Sequence, residues 1–138
     1  MRARATLKKR EILRLKKDID ALFGEGKSVK ALPLKVLYQV VPLDEPSKTN
    51  APAVMAMFVV SKRSVKKAAH RNRVKRLMRE AYRLLKSEIA EAFAQKQTLN
   101  RQLRLALLYQ SSSKDASLDE LKSALSEATR KIIERLEL

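Results

Sequence analysis

The chain has 138 residues, of which 31 are Lys or Arg and 15 are Asp or Glu, for a formal net charge of +16 at pH 7. This length suits one domain with a modest core, and the charge points to a polyanionic partner such as nucleic acid. With no cysteine, the chain can form neither a disulfide nor a thiolate metal site. No apolar run approaches the roughly 20 residues of a membrane-spanning helix, so we expect a cytoplasmic protein without a membrane partner.

The first part of the chain predicts a basic tail followed by a short helix. Residues 1–12 lack an apolar period and are expected to form a flexible basic tail. Apolar side chains recur at helical spacing over residues 13–23. Gly24 and Gly26, the only two glycines of the chain, close this predicted helix.

Three strands and two more helices are predicted after these glycines. Runs of β-branched and other apolar residues predict strands over 34–41, 53–60 and 103–109. A basic helix is expected between the second and third strands. A last helix begins at Ser117, which is followed three residues later by Glu120 in a capping-box pattern.

The basic helix is the most informative stretch. We expect it to begin with Ser64 as its N-cap and to end near Phe93. From Ser61 to Lys86 the chain holds five Lys and six Arg against one acid, Glu80. The apolar stripe expected along it comprises Val74, Leu77, Met78, Ala81, Leu84 and Leu85. The opposite side, at about 100° per residue, comprises Asn72, Arg76, Arg79 and Arg83.

A run of charges is also typical of a plainly solvated helix face. Such a face normally alternates charge sign, because like charges at i,i+4 spacing repel one another. Here the arginines share their side with a single acid, and Asn72 is a weak helix former within the run. The pattern therefore favours polyanion binding, since each guanidinium group can grip phosphate oxygens in pairs.

The predicted order of helix, strand, strand, helix, strand, helix indicates an α+β fold. We expect a two-layer α-β sandwich with the helices packed on one sheet. We expect residues 1–138 to form a single RNA-binding domain.

A longer ordered pattern consists of Ser61-Lys62-Arg63, then Arg71-Asn72-Arg73-Val74-Lys75-Arg76, then Arg79-Glu80-Ala81-Tyr82-Arg83. This pattern resembles the signature of the bacterial ribonuclease P protein component. The resemblance covers nearly all of residues 13–138. It implies the same element order and a left-handed βαβ crossover through the basic helix, whereas the general rule would favour a right-handed one.

The resemblance also implies a function. The protein would be the non-catalytic subunit of a ribonucleoprotein endoribonuclease, as a monomer with one copy per catalytic RNA. It would bind that RNA and the 5′ leader of precursor tRNA, while the RNA carries out Mg²⁺-dependent removal of the leader. The implied RNA-binding residues are Lys62, Arg63, Lys66, Lys67, Arg71, Asn72, Arg73, Lys75, Arg76, Arg79 and Arg83.

A second implied surface is a cleft between the first helix and the sheet that holds the precursor leader. Its residues here would be Ile19, Phe23 and Tyr38. Ile19 takes the place of a family phenylalanine, which removes one stacking platform worth about 1–3 kcal/mol per base. Phe23 as plain core filler remains an open alternative.

No catalytic residue and no metal ligand are predicted on the protein. The single histidine, His70, fits a structural or peripheral role better than that of a base. There is no glycine-rich phosphate loop and no carboxylate cluster suited to Mg²⁺. An independent nuclease is therefore disfavoured. A structural RNA-binding protein, such as a ribosomal protein, is the alternative function.

Overall fold

A computed structural model describes residues 7–43, 52–96 and 101–136. After a single 3₁₀ turn over Lys9–Glu11, its helices and strands are α1 Lys16–Glu25, β1 Lys27–Ala31, β2 Leu34–Pro42, β3 Val54–Val59, α2 Ala68–Lys96, β4 Arg101–Tyr109 and α3 Leu118–Leu136. Residues 44–51, after β2, and residues 97–100, after α2, lie outside the described residues. None of the described helices is long and apolar enough to cross a membrane.

The four strands form one sheet in the order β1-β2-β4-β3. The pairs β1/β2 and β2/β4 are antiparallel, whereas β3 and β4 are parallel neighbours joined through α2. This arrangement confirms the predicted α+β fold class and its βαβ unit. The left-handedness of the crossover stays a prediction from the family resemblance.

The main core lies between the sheet and the layer formed by α2 and α3. Alternate residues of the central strand β4, among them Leu105 and Leu107, are fully buried on this face. From the helices, Met78 and Tyr82 of α2 and Leu125 of α3 enter the same cluster. Burial of these apolar side chains supplies the main driving force for packing the helical layer on the sheet.

Helix α1 packs on the other face of the sheet. Leu13 and Leu22 form a second buried cluster with Ala106, whose neighbours Leu105 and Leu107 belong to the first. Because side chains alternate along a strand, the two clusters lie on opposite faces. The sheet is thus covered by α2 and α3 on one face and partly by the short α1 on the other.

Strand β1 was not among the predicted elements. Its sequence Lys-Ser-Val-Lys-Ala contains only Val29 and Ala31 as apolar residues, and both are buried. It is an edge strand that forms by pairing with β2 across the turn at Leu32 and Pro33. Pairing with a neighbour, rather than its own composition, specifies it.

Residues 8–12, expected as part of a flexible tail, instead pack against β3 and α2. The Leu13 N–H donates to the carbonyl of Ala56 at 2.9 Å, and Ile12 forms a bridge with the same residue. The Glu11 carboxylate pairs with Lys86 at 2.9 Å, and both side chains are less than a fifth exposed. Residues 1–6 of the expected tail lie outside the described residues.

Candidate nucleic-acid interface

Helix α2 presents a buried side and a cationic side, as its sequence predicts. Its buried residues are Val74, Met78, Ala81, Tyr82, Leu85, Ile89 and Phe93. Of the other predicted stripe residues, Leu77 is half-buried and Leu84 is exposed. Tyr82 belongs to the stripe although the apolar pattern omitted it, and burial raises the pKa of its hydroxyl far above the ordinary value.

Three residues of the predicted cationic side are exposed, namely Asn72, Arg76 and Arg79. The Arg79 guanidinium also lies over the Phe58 ring, 5.9 Å from the ring centroid, which holds it against the surface. Positions 72, 76 and 79 are spaced by four and three residues, so these side chains form a continuous row along α2.

Arg83, the fourth predicted member of this row, is engaged by Glu80. Its Nη2 lies 2.6 Å from the Glu80 carboxylate, and its Nε donates to the same carboxylate at 2.7 Å. The hydrogen bond from Arg83 lowers the pKa of Glu80, and the same bond raises the pKa of Arg83. The only acid of the basic stretch thus neutralises one arginine of the row.

Two other predicted RNA-binding arginines are bound to backbone carbonyls. Arg71 Nη1 donates to the carbonyls of Val65 at 3.0 Å and Lys66 at 2.7 Å. Arg73 Nη1 donates to the carbonyl of Lys114 at 2.8 Å and to that of Ala116 at 3.3 Å. Arg71 thus holds the turn that precedes α2, and Arg73 holds the loop that precedes α3 against the first turns of α2.

The turn between β3 and α2 holds four of the five remaining predicted cations. Lys62, Arg63, Lys66 and Lys67 are exposed on it, and Lys75 of α2 is half-buried. Ser61 organises the turn, because its Oγ accepts the Ser64 N–H at 3.1 Å and its carbonyl accepts the Val65 N–H at 3.0 Å. The prediction that Ser64 is the N-cap of the basic helix is wrong, since α2 begins at Ala68.

Metal ions in proteins are held by close groupings of His, Cys, Asp and Glu side chains. No group of three or more His, Cys, Asp or Glu side chains is placed to hold a metal ion among residues 7–43, 52–96 and 101–136. His70 is half-buried in the first turn of α2.

The structure does not bring the three predicted leader-cleft residues together. Ile19 is half-buried against the cluster under α1, and Phe23 of α1 is 47% exposed. Tyr38 is only 4% exposed and belongs to the core beneath α2 and α3, on the opposite face of the sheet. A base cannot stack on so buried a ring, so the assignment of Tyr38 to the cleft is corrected. Leu37, the neighbour of Tyr38, is half-buried and packs against the same cluster as Ile19, on the face of the sheet where α1 lies.

A polar network beneath α1 was missed by sequence reasoning. Asp18 of α1 pairs with Arg104 of β4 at 3.2 Å, and both side chains are less than a fifth exposed. Arg104 also donates to Gln102 at 2.9 Å. Gln39 lies opposite Arg104 in the sheet, and its Oε1 is buried without a hydrogen-bond partner. No spacing signal could reveal a pair so distant in sequence.

The fold and the exposed row define a basic α+β protein that presents one cationic helix face and a half-open sheet face. The sequence model of the Ribonuclease P family matches residues 7–133. The chain therefore belongs to the ribonuclease P protein family.

Two relatives illustrate how far the sequence similarity extends. The ribonuclease P protein component of Chlorobium phaeobacteroides is 50% identical over 84 residues, which is 61% of this chain and 56% of that protein. The corresponding protein of Porphyromonas gingivalis is 39% identical over 92 residues, which is 66% of this chain and 63% of that protein. The chain thus spans less than two thirds of the length of these relatives.

Two solved structures share the fold. The Staphylococcus aureus RNase P protein superposes with a TM-score of 0.63 at 17% identity, covering 88% of this chain and 94% of that one. The Thermotoga maritima RNase P protein gives a TM-score of 0.61 at 21% identity, covering 87% of this chain and 96% of that one. At these identities the likeness concerns the fold alone.

Proposed function

We propose that this chain is the protein subunit of ribonuclease P, which binds the catalytic RNA and the 5′ leader of precursor tRNA and so assists maturation of the tRNA 5′ end. The observation that carries the proposal is the exposed row Asn72, Arg76 and Arg79 on α2, in a chain of this family. The row continues into the exposed cations of the preceding turn. A general structural RNA-binding role gains no support from the family match.

The cationic row would act on RNA through phosphate neutralisation. A guanidinium fork binds two phosphate oxygens at once, and each contact releases counterions from the RNA. Arg71 and Arg73 would serve the same face indirectly, because they fix the segments that flank it. Phosphates that repel one another in the free RNA would approach more readily on this surface.

The chemistry would belong to the RNA subunit. Mg²⁺ prefers oxygen ligands in near-octahedral geometry, usually one or two carboxylates together with substrate phosphates. The described part of the chain has no acidic cluster of that kind, so its residues do not fit a Mg²⁺ site held by protein alone. We therefore assign Mg²⁺ to the RNA-containing holoenzyme. From the family resemblance we further propose one protein monomer per RNA, in the cytoplasm.

The sheet face beside α1 would hold the single-stranded leader. The Phe23 ring is exposed on α1, and Ile19, one turn earlier on the helix, and Leu37 of β2 are half-buried against the cluster beneath α1. An exposed aromatic ring can stack on a base of any identity, which suits leaders of varied sequence.

Reconstitution tests this function. The full chain is mixed with a bacterial ribonuclease P RNA and precursor tRNA at limiting Mg²⁺, and mature 5′ ends are measured. We expect no cleavage by the protein alone and strong stimulation of the RNA, because the protein replaces part of the Mg²⁺ needed to screen phosphates. Cleavage by highly purified protein without RNA, or failure to stimulate the RNA, would overturn the proposal.

A further inference from the structure

A pair of lysines lies at the solvent-facing surface of the sheet, on the face where α1 packs. Lys30 of β1 and Lys35 of β2 lie directly opposite each other in the antiparallel register. Their neighbours Val29 and Val36 are buried in the core beneath α2 and α3. Because side chains alternate, both lysines project from the other face, the one on which α1 packs.

This arrangement is unfavourable for the isolated protein. Like charges directly opposite across two strands destabilise a sheet. In the described part of the chain neither ammonium group has a carboxylate partner. Lys30 is exposed and Lys35 is half-exposed, so both charges can be reached by a ligand.

The strand that carries Lys30 is nevertheless held firmly in place. Lys131 of α3 donates from Nζ to the Lys30 carbonyl at 2.7 Å. Arg135 donates from Nη1 to the Ser28 carbonyl at 2.8 Å. Helix α3 thereby holds the outer edge of β1 and keeps the backbone positions of Lys30 and Lys35 opposite each other.

The two lysines continue a row that crosses the whole sheet. Lys35 lies opposite Leu108 of β4, and Leu108 lies opposite Val59 of β3. With strands about 4.8 Å apart, the row from Lys30 to Val59 spans about 14 Å. Helix α1 packs on the same face of the sheet at Ala106 and Arg104, which lie two and four residues before Leu108 in β4.

The row has two lysines at one end and the apolar residues Leu108 and Val59 at the other. Leu108 and Val59 are half-buried, and Val59 leads directly into the exposed turn with Lys62 and Arg63. Apolar side chains suit unstacked bases, whereas ammonium groups suit phosphates. A single strand of RNA fits this pattern better than a duplex, whose bases are not open to contact.

We propose that Lys30 and Lys35 form a phosphate-binding site for single-stranded RNA, at the far side of the sheet face from the turn that follows β3. This inference rests on the proposed function and extends it, since the strand would be the leader of precursor tRNA. The bound phosphate would offset the repulsion between the two ammonium groups.

The test compares three double variants of the full chain. Lys30→Gln with Lys35→Gln removes both charges and leaves polar side chains of similar size. Lys30→Arg with Lys35→Arg keeps the charges. Lys96→Gln with Lys122→Gln is the charge-matched control, because both residues lie on the helical layer at the opposite face.

Binding of short single-stranded RNA is measured over a range of salt concentrations. The Lys30/Lys35 glutamine variant should bind about tenfold more weakly, with a log-log salt slope shallower by about 1.4 for two lost contacts. Its melting temperature should stay equal or rise, because the like-charge pair is gone. The arginine variant should retain wild-type binding, and the control should lose little.

Two further measurements separate this site from the rest of the protein. Assembly of the glutamine variant with the catalytic RNA should match wild type, whereas its preference for precursor over mature tRNA should fall. An unchanged affinity and salt slope, or an equal loss in the control, would overturn the site. Failure of the wild-type chain to stimulate the catalytic RNA would instead count against the proposed function. The binding assay with short single-stranded RNA would still test whether Lys30 and Lys35 bind phosphate.

Discussion

At the scale of single residues, the arginines of the basic stretch differ in what their guanidinium groups contact. Arg71 and Arg73 bind backbone carbonyls of neighbouring segments, and Arg83 binds Glu80. Arg76 is exposed, while Arg79 is exposed but lies over Phe58. Substitutions within one charged motif should therefore affect stability and RNA binding in different proportions.

Arg71→Ala should lower the free energy of unfolding by about 1–3 kcal/mol, because two carbonyls lose a charged donor. Urea denaturation measures this change. Arg76→Ala is the matched control, and its exposed side chain should cost no more than about 0.5 kcal/mol. Equal losses in the two variants would show that Arg71 does not organise the turn.

Phe23→Ala should weaken leader binding by about 1–3 kcal/mol if one base stacks on its ring. Because the ring is 47% exposed, the accompanying loss of stability should be small. The affinities of the assembled holoenzyme for precursor and mature tRNA are compared. A loss of the same size for both RNAs would exclude Phe23 from leader contact.

Tyr38→Phe is the companion variant, because the Tyr38 hydroxyl is buried without a hydrogen-bond partner. Removing it should raise the free energy of unfolding by up to about 1 kcal/mol, since an unpaired buried hydroxyl is costly. Leader affinity should be unchanged, as the ring lies on the other face of the sheet. Weaker leader binding in this variant would return Tyr38 to the cleft.

At the scale of elements, α2 combines a structural and a binding role along its 29 residues, or about 44 Å. Its apolar side enters the core, and its other side carries the cationic row. The two roles can coexist because residues three or four apart in sequence lie on the same side of an α-helix, whereas the residues between them lie on other sides. Helix α1 is shorter and contributes both a buried anchor, Leu22, and the exposed Phe23.

Arg76→Ala and Arg79→Ala should each weaken binding to the catalytic RNA and make the log-log salt slope shallower by somewhat less than ~1. Their effects on stability should differ. Arg79→Ala should cost about 0.5–1 kcal/mol through its lost contact with the Phe58 ring, whereas Arg76→Ala should cost almost nothing. Filter binding at several salt concentrations and urea denaturation give the two quantities. A salt slope that does not change would remove these residues from the RNA face.

At the scale of the whole molecule, the net charge of +16 dominates its behaviour. The charge is uneven, because residues 111–138 hold five Lys or Arg and six Asp or Glu and are nearly neutral. The excess therefore resides in residues 1–110. Repulsion within that excess destabilises the compact state, and bound anions relieve it.

The protein should therefore become more stable as salt increases, whereas its affinity for RNA should decrease. Urea, an uncharged denaturant, is used to follow the unfolding midpoint from low to moderate sodium chloride. The midpoint should rise, and the Lys30→Gln and Lys35→Gln double variant should show a smaller rise. A midpoint that falls with salt would mean that favourable ion pairs such as Glu11–Lys86 outweigh the repulsion.

Local patterns in the sequence determined several features of this protein. The amphipathic period of α2 predicted both its buried stripe and its exposed cationic row, because i,i+3 and i,i+4 spacing places residues on one side of a helix. The apolar runs predicted β2, β3 and β4, and the ordered basic pattern indicated the family. Each of these signals lies within a single element, where spacing alone fixes geometry.

Tertiary structure decided what depends on distant contacts. In strand β2, Leu37 shares its face with Lys35 and Gln39, so alternation by itself groups Tyr38 with the buried Val36. The family resemblance assigned Tyr38 to the cleft, and the packing of the sheet corrected that assignment. Strand β1 exists through its pairing with β2, and the Lys30–Lys35 juxtaposition follows from that register. The Asp18–Arg104 pair likewise joins residues far apart in sequence. Such contacts depend on how elements pack, and no local pattern encodes that packing.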